Sequence, residues 1–275
     1  MSESKHCAAL AAVQVFGPLL CLLLICGTSV AASPEEIKFS SGKLSLHAFL
    51  YKPDGNGPFP AILYNHGSER KPGSKPEIGK FFSDKGYVVF VPHRRSHGRS
   101  PNDAHIDTLY DQGARSIVTL HEFHLEDQLS ALSYLKQLSY VDNGKIAVAG
   151  CSYGGIQTVL AVESNAEQNL GLRAAVDFAG AAQSWRGSLS LRNRMIAATR
   201  KATIPVMFVQ AENDYDLTPS RVLSGELQQL GKPYKLAIYP PYGSSREEGH
   251  GAFCSRATDV WGDEVLSFLQ SNLGK

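Results

Sequence analysis

Three side chains in the second half of the chain could together carry out acyl transfer. Ser152 lies in the segment Gly150-Cys151-Ser152-Tyr153-Gly154, Asp214 follows an apolar segment, and His250 lies between two glycines. A serine hydroxyl is a weak nucleophile until a base takes its proton, and imidazole is the natural base near neutral pH. A carboxylate then fixes the tautomer of the imidazole and stabilises the imidazolium.

The residues around Ser152 predict the local structure that such a nucleophile needs. The segment 145–149 reads as a strand of small and β-branched residues, and the segment 156–162 reads as a helix. A strand, a tight turn and a helix form a nucleophile elbow, which projects the serine hydroxyl above the sheet. Gly150 and Gly154 are expected there because a Cβ at either position would clash with neighbouring backbone. The G-x-S-x-G pattern alone is weak evidence, and its flanking strand and helix strengthen it.

The carboxylate and the histidine follow the serine in the order Ser, Asp, His. The apolar strand 204–210 ends in a polar turn that contains Asp214, and Asp216 lies two residues further on. A carboxylate that reaches the far nitrogen of His250 should lie in the first turn after this strand, which favours Asp214 and leaves Asp216 as the alternative.

With these residues in place, the chain resembles the α/β-hydrolase superfamily, specifically the dienelactone-hydrolase-like family, and is similar to the catalytic domain of prolyl-oligopeptidase-type peptidases. The matching segments run from about Glu36 to the C-terminus and are Pro60–Gly67, Arg95–Ser100, the elbow, Glu212-Asn213-Asp214 and Gly249-His250-Gly251. The resemblance implies a mostly parallel central sheet of about eight strands with helices on both faces. True dienelactone hydrolases carry a cysteine nucleophile. Here Ser152 occupies that position, and Cys151 lies in the wrong slot to replace it, so ordinary esters or amides are favoured.

The resemblance also implies an oxyanion hole and a substrate pocket. One backbone N–H should come from Ser68 or Gly67 in the loop after the third strand, and the other from Tyr153. His66 is a pocket candidate, although a structural histidine bonded to its own loop is the favoured interpretation. Trp185, at the carboxyl end of the sixth strand, is a candidate wall of the pocket. The excursion 187–200 is too short for a large cap domain.

Two further segments carry polar residues of the kind that bind ligands. The basic segment 93–100 is interpreted as a turn after the fourth strand. His121 and His124 are three residues apart, without an apparent third ligand, and are interpreted as part of a solvated helix face. The segment 103–120 could form the edge of a lid. Neither a metal nor a cofactor is expected.

The first 32 residues are predicted to be a cleaved signal peptide. Lys5 precedes an apolar stretch from Phe16 to Cys26, and small residues at 29–32 offer a cleavage site. An uncleaved N-terminal membrane anchor is the alternative. Residues 33–275 then form one α/β-hydrolase domain that is secreted or periplasmic. The predicted mature chain keeps two of the five cysteines, Cys151 and Cys254, either as a disulfide that clamps the histidine loop onto the elbow or as free thiols.

Composition limits the possible partners. The formal net charge of +1 argues against binding to nucleic acid, and a small-molecule ester is the expected partner. The favoured function is a secreted serine hydrolase that cleaves carboxylic esters. A peptidase of the prolyl-oligopeptidase type is the alternative, although such enzymes normally carry a propeller domain for which this chain has no room. A non-catalytic binding protein on a hydrolase scaffold is the alternative from another class.

Overall fold

The computed structural model describes residues 33–100 and 117–274. The predicted signal peptide and most of the candidate lid edge lie outside these residues. The strands are β1 (Glu35–Ser41), β2 (Leu44–Tyr51), β3 (Phe59–Asn65), β4 (Val88–Pro92), β5 (Val141–Cys151), β6 (Leu172–Phe178), β7 (Val206–Ala211) and β8 (Tyr234–Tyr239). The helices are α1 (Pro76–Ser83), α2 (Ile117–Leu135), α3 (Tyr153–Gln168), α4 (Leu189–Arg200), α5 (Thr218–Gln229), α6 (Phe253–Arg256) and α7 (Thr258–Leu273), with a π-helical turn at Glu248–Ala252.

The strands form one eight-stranded sheet in the order β1-β2-β4-β3-β5-β6-β7-β8. The pairs β1–β2 and β2–β4 are antiparallel, whereas the strands from β4 to β8 pair in parallel. The turn Ser41-Gly42-Lys43 and the alternating residues after it predict a hairpin over residues 36–52, and β1 and β2 form it. The mostly parallel eight-stranded sheet that the resemblance implies is also confirmed. The order places β5, which leads to Ser152, at the centre, and parallel strands end together at one edge of the sheet.

Helices cover both faces of the sheet because the central strands are apolar on both sides. Successive residues of β3 point to opposite faces of the sheet and so belong to two different apolar cores. Leu63 lies in the core that contains residues of α2, α3, α4 and α5, and Ile62 lies in the core that contains residues of α1, α6 and α7. The apolar residues of the last helix are all predicted from the sequence to pack on the sheet: Val260, Trp261, Val265, Leu266 and Phe268. The prediction is wrong for Val260, whose side chain is 42% exposed, whereas the other four are buried. Within the described residues there is no cap domain, and no helix there is long and apolar enough to cross a bilayer.

Candidate active site

The nucleophile candidate lies at a strained turn between β5 and α3. Ser152 has φ 57° and ψ −113°, a conformation that L-residues rarely adopt and that needs support from its surroundings. Part of that support is the hydrogen bond that its backbone N–H donates to the carbonyl of Phe178, at 2.8 Å. Because α3 begins at Tyr153, its amino end adjoins Ser152 and favours negative charge there.

The two glycines of the elbow are required by close backbone contacts. A Cβ on Gly150 would lie 2.3 Å from the carbonyl oxygen of Gly154. A Cβ on Gly154 would lie 2.0 Å from the carbonyl oxygen of Asn65. Both distances are far below any real contact, so a side chain at either position would clash with the backbone, as expected from the sequence. The elbow packs directly against the end of β3.

The carboxylate that contacts the histidine belongs to Asp214. His250 Nδ1 lies 2.9 Å from Asp214 Oδ1 and 3.1 Å from Oδ2, and both side chains are buried. Gln210 also donates to Asp214 Oδ2, at 2.8 Å. The alternative, Asp216, instead accepts a hydrogen bond from Arg186 at 2.9 Å. The structure thus brings together Asp214 and His250 and leaves Asp216 in a different contact.

The histidine is carried by the π-helical turn, a rare element that often occurs at functional sites. Gly249 lets this turn approach the β7 loop, since a Cβ there would lie 2.4 Å from Asn213 Oδ1. Asn213 also donates to the carbonyl of Ser245, at 2.9 Å. Asn213 therefore ties the histidine segment to the loop that carries Asp214. This role of Asn213 was not predicted from the sequence. The one indication of it there is that Asn213 directly precedes Asp214.

A disulfide joins the two segments that carry the serine and the histidine. Cys151, directly before Ser152, bonds to Cys254, four residues after His250, with a Cα–Cα distance of 5.9 Å. The first of the two alternatives left open by the sequence is the one present. The bond fixes the helix that follows the histidine against the end of β5.

Ser152 lies where two clefts meet. The larger, of about 250 Å³, contains His250, and the smaller, of about 150 Å³, lies on the other side of Ser152. Ser68 and Gln183 border both clefts. The larger cleft is further lined by Tyr64, Gly67, Glu69, Lys75, Cys151, Tyr215, Glu247, Gly251 and Ser255, and the smaller by Ile117, His121, Tyr153, Ile156, Ala181 and Ser184.

The oxyanion-hole candidates Gly67, Ser68 and Tyr153 all border these clefts. His66 does not: it is fully buried, and its Nδ1 lies 2.8 Å from the carbonyl oxygen of Gly67, which agrees with a structural role in the loop. The expectation that Trp185 forms a wall of the pocket is wrong. Its side chain is 3% exposed and packs in the apolar core between the sheet and its helices.

The interpretation of His121 and His124 as part of a solvated helix face is also wrong. Both are fully buried because α2 packs against α3 beside the elbow. The ring of His121 stacks on that of Tyr153 with centroids 4.0 Å apart, and His124 Nδ1 lies 2.7 Å from the Tyr153 hydroxyl. Burial, reinforced by the positive charge of Arg94, lowers the pKa of His121 to about 3, so this imidazole is neutral at neutral pH.

His121 and His124 are also the residues that the sequence offered as possible metal ligands. Within residues 33–100 and 117–274, no group of three or more His, Cys, Asp or Glu side chains is placed to hold a metal ion.

The sheet order, the elbow between β5 and α3, and the Asp–His pair beyond β7 and β8 define an α/β-hydrolase. Residues 46–272 match the dienelactone hydrolase family, and the chain belongs to that family. The resemblance read from the sequence is therefore confirmed.

Among curated proteins, the chain is similar to mouse dipeptidyl peptidase 8, with 24% identity over 88% of this chain and 29% of that protein. It therefore spans less than a third of that relative's length. Among solved structures, it is similar to Pyrococcus horikoshii acylaminoacyl peptidase, with a TM-score of 0.67 and 20% identity over 88% of this chain and 42% of that one. A Klebsiella pneumoniae chain assigned as a dienelactone hydrolase has a TM-score of 0.65 and 18% identity, over 86% of this chain and 98% of its own. At such identities the structural likenesses concern the fold.

Proposed function

We propose that this protein is a secreted serine hydrolase that cleaves carboxylic esters through an acyl-enzyme. The observation that carries the proposal is the buried pair of Asp214 and His250, which shares one cleft with Ser152 at the elbow. A buried imidazole with a carboxylate on Nδ1 can take a proton on its other nitrogen. Within the described residues, that nitrogen, Nε2, has no hydrogen-bond partner.

In the first half of the reaction, Ser152 Oγ attacks the ester carbonyl and passes its proton to His250 Nε2. Asp214 holds the Nδ1 proton and stabilises the imidazolium that forms. The imidazolium then protonates the departing alkoxide, which leaves the acyl group on Ser152. In the second half, His250 takes a proton from water as the water oxygen attacks the acyl carbonyl. The bond between the acyl carbon and Ser152 Oγ then breaks, the carboxylic acid leaves, and the imidazolium returns its proton to Ser152 Oγ. The side chains and backbone of the protein suffice for these steps.

The negative charge on the tetrahedral carbonyl oxygen is held by backbone donors. The N–H groups of Tyr153 and of Ser68 or Gly67 are the candidates, because all three residues border the clefts at Ser152. Such fixed dipoles in a site shielded from water act without reorganisation when the charge develops. The amino end of α3 adds a favourable field.

We assign the two sides of the proposed ester to the two clefts. His250 must protonate the leaving group, so the alcohol side lies in the larger cleft. The acyl side then lies in the smaller cleft, where Ile156 and Ala181 supply apolar surface. A cleft of about 150 Å³ fits a short acyl chain. We therefore expect short-chain esters to be preferred to long-chain esters.

Peptide hydrolysis is the second candidate function. The similarity to dipeptidyl peptidase 8 and acylaminoacyl peptidase favours it. An extended peptide occupies several residues on each side of the scissile bond, whereas the two clefts that meet at Ser152 measure about 250 and 150 Å³. A third cleft, of about 360 Å³, adjoins the larger of these at Gln183 and Tyr215, away from Ser152. We prefer ester hydrolysis because the space in direct contact with Ser152 is small.

The test uses a fluorophosphonate probe and matched serine variants. The mature protein should be labelled at Ser152, and Ser152→Ala should lose labelling and at least about 10³-fold in kcat. Ser255→Ala, which removes another serine hydroxyl from the same cleft, serves as the control and should keep both. Labelling that persists in Ser152→Ala would refute the nucleophile, and a protein that neither reacts with the probe nor hydrolyses any ester or peptide would support a binding protein.

The substrate class is decided by kcat/KM on p-nitrophenyl esters of graded acyl length and on aminoacyl and dipeptidyl anilides. We expect the acetate and butyrate esters to be the best substrates. Anilides cleaved with higher kcat/KM than every ester would favour the peptidase.

Secretion belongs to the same proposal and depends on the first 32 residues. Cleavage near Ser33 should leave a mature protein in the periplasm or the medium. Intact-mass measurement on protein exported by its native host tests this, and a full-length, membrane-bound product would mean an anchor.

A further inference from the structure

A buried cation lies directly behind the proposed oxyanion hole. Arg94 follows β4, is fully buried, and lies next to the loop that contains Gly67. Its Nη1 donates to the carbonyl of His66 at 2.9 Å, and its Nη2 donates to the carbonyl of Gly67 at 2.6 Å. His66 Nδ1 lies 3.1 Å from the same Nη2, but it donates to the Gly67 carbonyl and therefore does not accept from Arg94. Among the described residues, the guanidinium thus donates to carbonyl oxygens and not to a carboxylate.

These two carbonyls belong to the peptide units whose N–H groups are the oxyanion donors. The carbonyl of His66 shares its unit with the N–H of Gly67, and the carbonyl of Gly67 shares its unit with the N–H of Ser68. In a trans peptide the C=O and N–H bonds point in opposite directions. With both carbonyls held by Arg94, both N–H groups point away from it, and Gly67 and Ser68 line the cleft beside Ser152.

The same guanidinium also holds the residue that supplies the other donor. The carbon at the centre of the guanidinium lies 4.8 Å from the ring centroid of Tyr153, which is a cation–π contact. His124 fixes the far end of that ring through the hydroxyl, at 2.7 Å. Arg94 is thus in contact with both polypeptide segments that form the proposed oxyanion hole.

The charge of Arg94 remains available at neutral pH. Burial lowers its pKa to about 10, which still leaves it protonated. The imidazoles around it are neutral, because burial and the charge of Arg94 lower the pKa of both His66 and His124 well below the usual value. The positive charge of Arg94 therefore lies in a buried environment, where its field is stronger than in water, although the carboxylates of Glu69 and Asp127 are near enough to act on it.

We propose that Arg94 is a positioning residue that orients and polarises both halves of the oxyanion hole. This inference rests on the proposed serine hydrolase function. A planar guanidinium suits the role because its fixed fork can bind two carbonyls at once while its face packs on an aromatic ring. The developing oxyanion would gain from donors that are already aimed and from a cation behind them.

The test compares Arg94→Met and Arg94→Lys with the wild-type protein. Methionine keeps an unbranched chain but removes the charge and the donors, whereas lysine keeps the charge as a single point without the fork. Arg95→Met is the matched control, because Arg95 is the adjacent arginine but pairs with Asp127 on α2. The measurements are kcat and KM for p-nitrophenyl acetate and Ki for 2,2,2-trifluoroacetophenone, whose hemiketal with Ser152 mimics the tetrahedral oxyanion.

Removing one oxyanion donor outright costs enzymes about 10²–10³-fold in kcat. Loss of aim and polarisation should cost less, so we expect kcat in Arg94→Met to fall about 10–100-fold with KM changed less than about threefold. The Ki of the ketone should rise by the same factor, Arg94→Lys should recover part of the loss, and Arg95→Met should retain wild-type kcat. Should Arg94→Met not fold, Arg94→Lys carries the same test with a smaller expected loss.

A folded variant at position 94 with wild-type kcat and Ki would overturn the inference. A fall in kcat without a matching rise in the Ki of the ketone would also overturn the inference. That result would mean that Arg94 affects the rate without affecting how the oxyanion is bound. The proposed function is judged separately by Ser152→Ala, whose inactivity would stand whatever Arg94 does.

Discussion

Reduction of the Cys151–Cys254 disulfide should lower thermal stability. The bond links positions 103 residues apart. In the chain-entropy description, a cross-link that closes a loop of about 100 residues stabilises the fold by about 4.7 kcal/mol, and removal of native disulfides typically costs about 2–5 kcal/mol. In a domain of this size, each kcal/mol shifts the melting temperature by about 2–4 °C. The reduced protein should therefore melt about 4–20 °C below the oxidised protein.

Catalysis should respond as well, because the bond ties the segment after His250 to the residue before Ser152. A misplacement of about 1 Å in an active site can cost about 10²-fold in rate. The other contacts of the histidine, to Asp214 and through Gly249 to Asn213, remain in the reduced protein. We therefore expect kcat to fall about tenfold at a temperature well below the melting transition.

The assay is thermal unfolding followed by circular dichroism, with kcat for p-nitrophenyl acetate, in the presence and absence of a phosphine reductant. Thiol alkylation of the unfolded protein verifies the redox state in each sample. The double variant Cys151→Ala/Cys254→Ala is the control, and its melting temperature should not respond to reductant. Oxidised and reduced wild-type proteins that melt within about 2 °C of each other would refute the reasoning.

Three further substitutions test the site and its support. Gly154→Ala should abolish activity and lower the melting temperature, because the new Cβ would lie 2.0 Å from the backbone oxygen of Asn65; a stable, active variant would contradict that contact. Asp214→Asn should lower kcat by roughly 10³–10⁴-fold while Asp216→Asn stays within about threefold of wild type, and the opposite ranking would reverse the assignment. Burial raises the pKa of Asp177 to about 7. The folded protein therefore keeps a proton on Asp177 that the unfolded chain releases above about pH 4. As the pH rises from about 4 to 7, this difference should lower the free energy of unfolding by up to about 4 kcal/mol. Urea unfolding at several pH values should show this loss in wild type relative to Asp177→Asn, and parallel profiles would refute it.

The sequence was most informative where the chemistry is local. The elbow could be predicted because a strand, a serine between two glycines and a helix are adjacent in the chain, and the backbone contacts at Gly150 and Gly154 agree with that prediction. The hairpin of β1 and β2 was equally local. Asp214 could be ranked above Asp216 because its place in the turn after β7 follows from counting residues.

Positions that depend on helix packing were predicted poorly. His121 and His124 were interpreted as solvated, yet both are fully buried, because the pattern of polar residues along α2 does not reveal that this helix packs against α3. Trp185 was expected in the pocket for its place after β6, but the chain turns it into the core. The basic segment that contains Arg94 was interpreted only as a turn after the fourth strand. The burial of Arg94 depends on the loop after β3, in which its partner Gly67 lies 27 residues earlier in the chain.

The sequence by itself determined the fold class, the family, the elbow and the order of the three candidate catalytic residues, because each is written in short segments or in their succession. Only the tertiary structure decided which carboxylate meets His250, that Cys151 and Cys254 lie close enough to bond, and that Arg94 lies behind the oxyanion loop. The physical reason is the sheet order, which brings the ends of β3, β5 and β7 to one edge although they are far apart in sequence. Side chains from these distant segments then meet through packing, which no local pattern encodes.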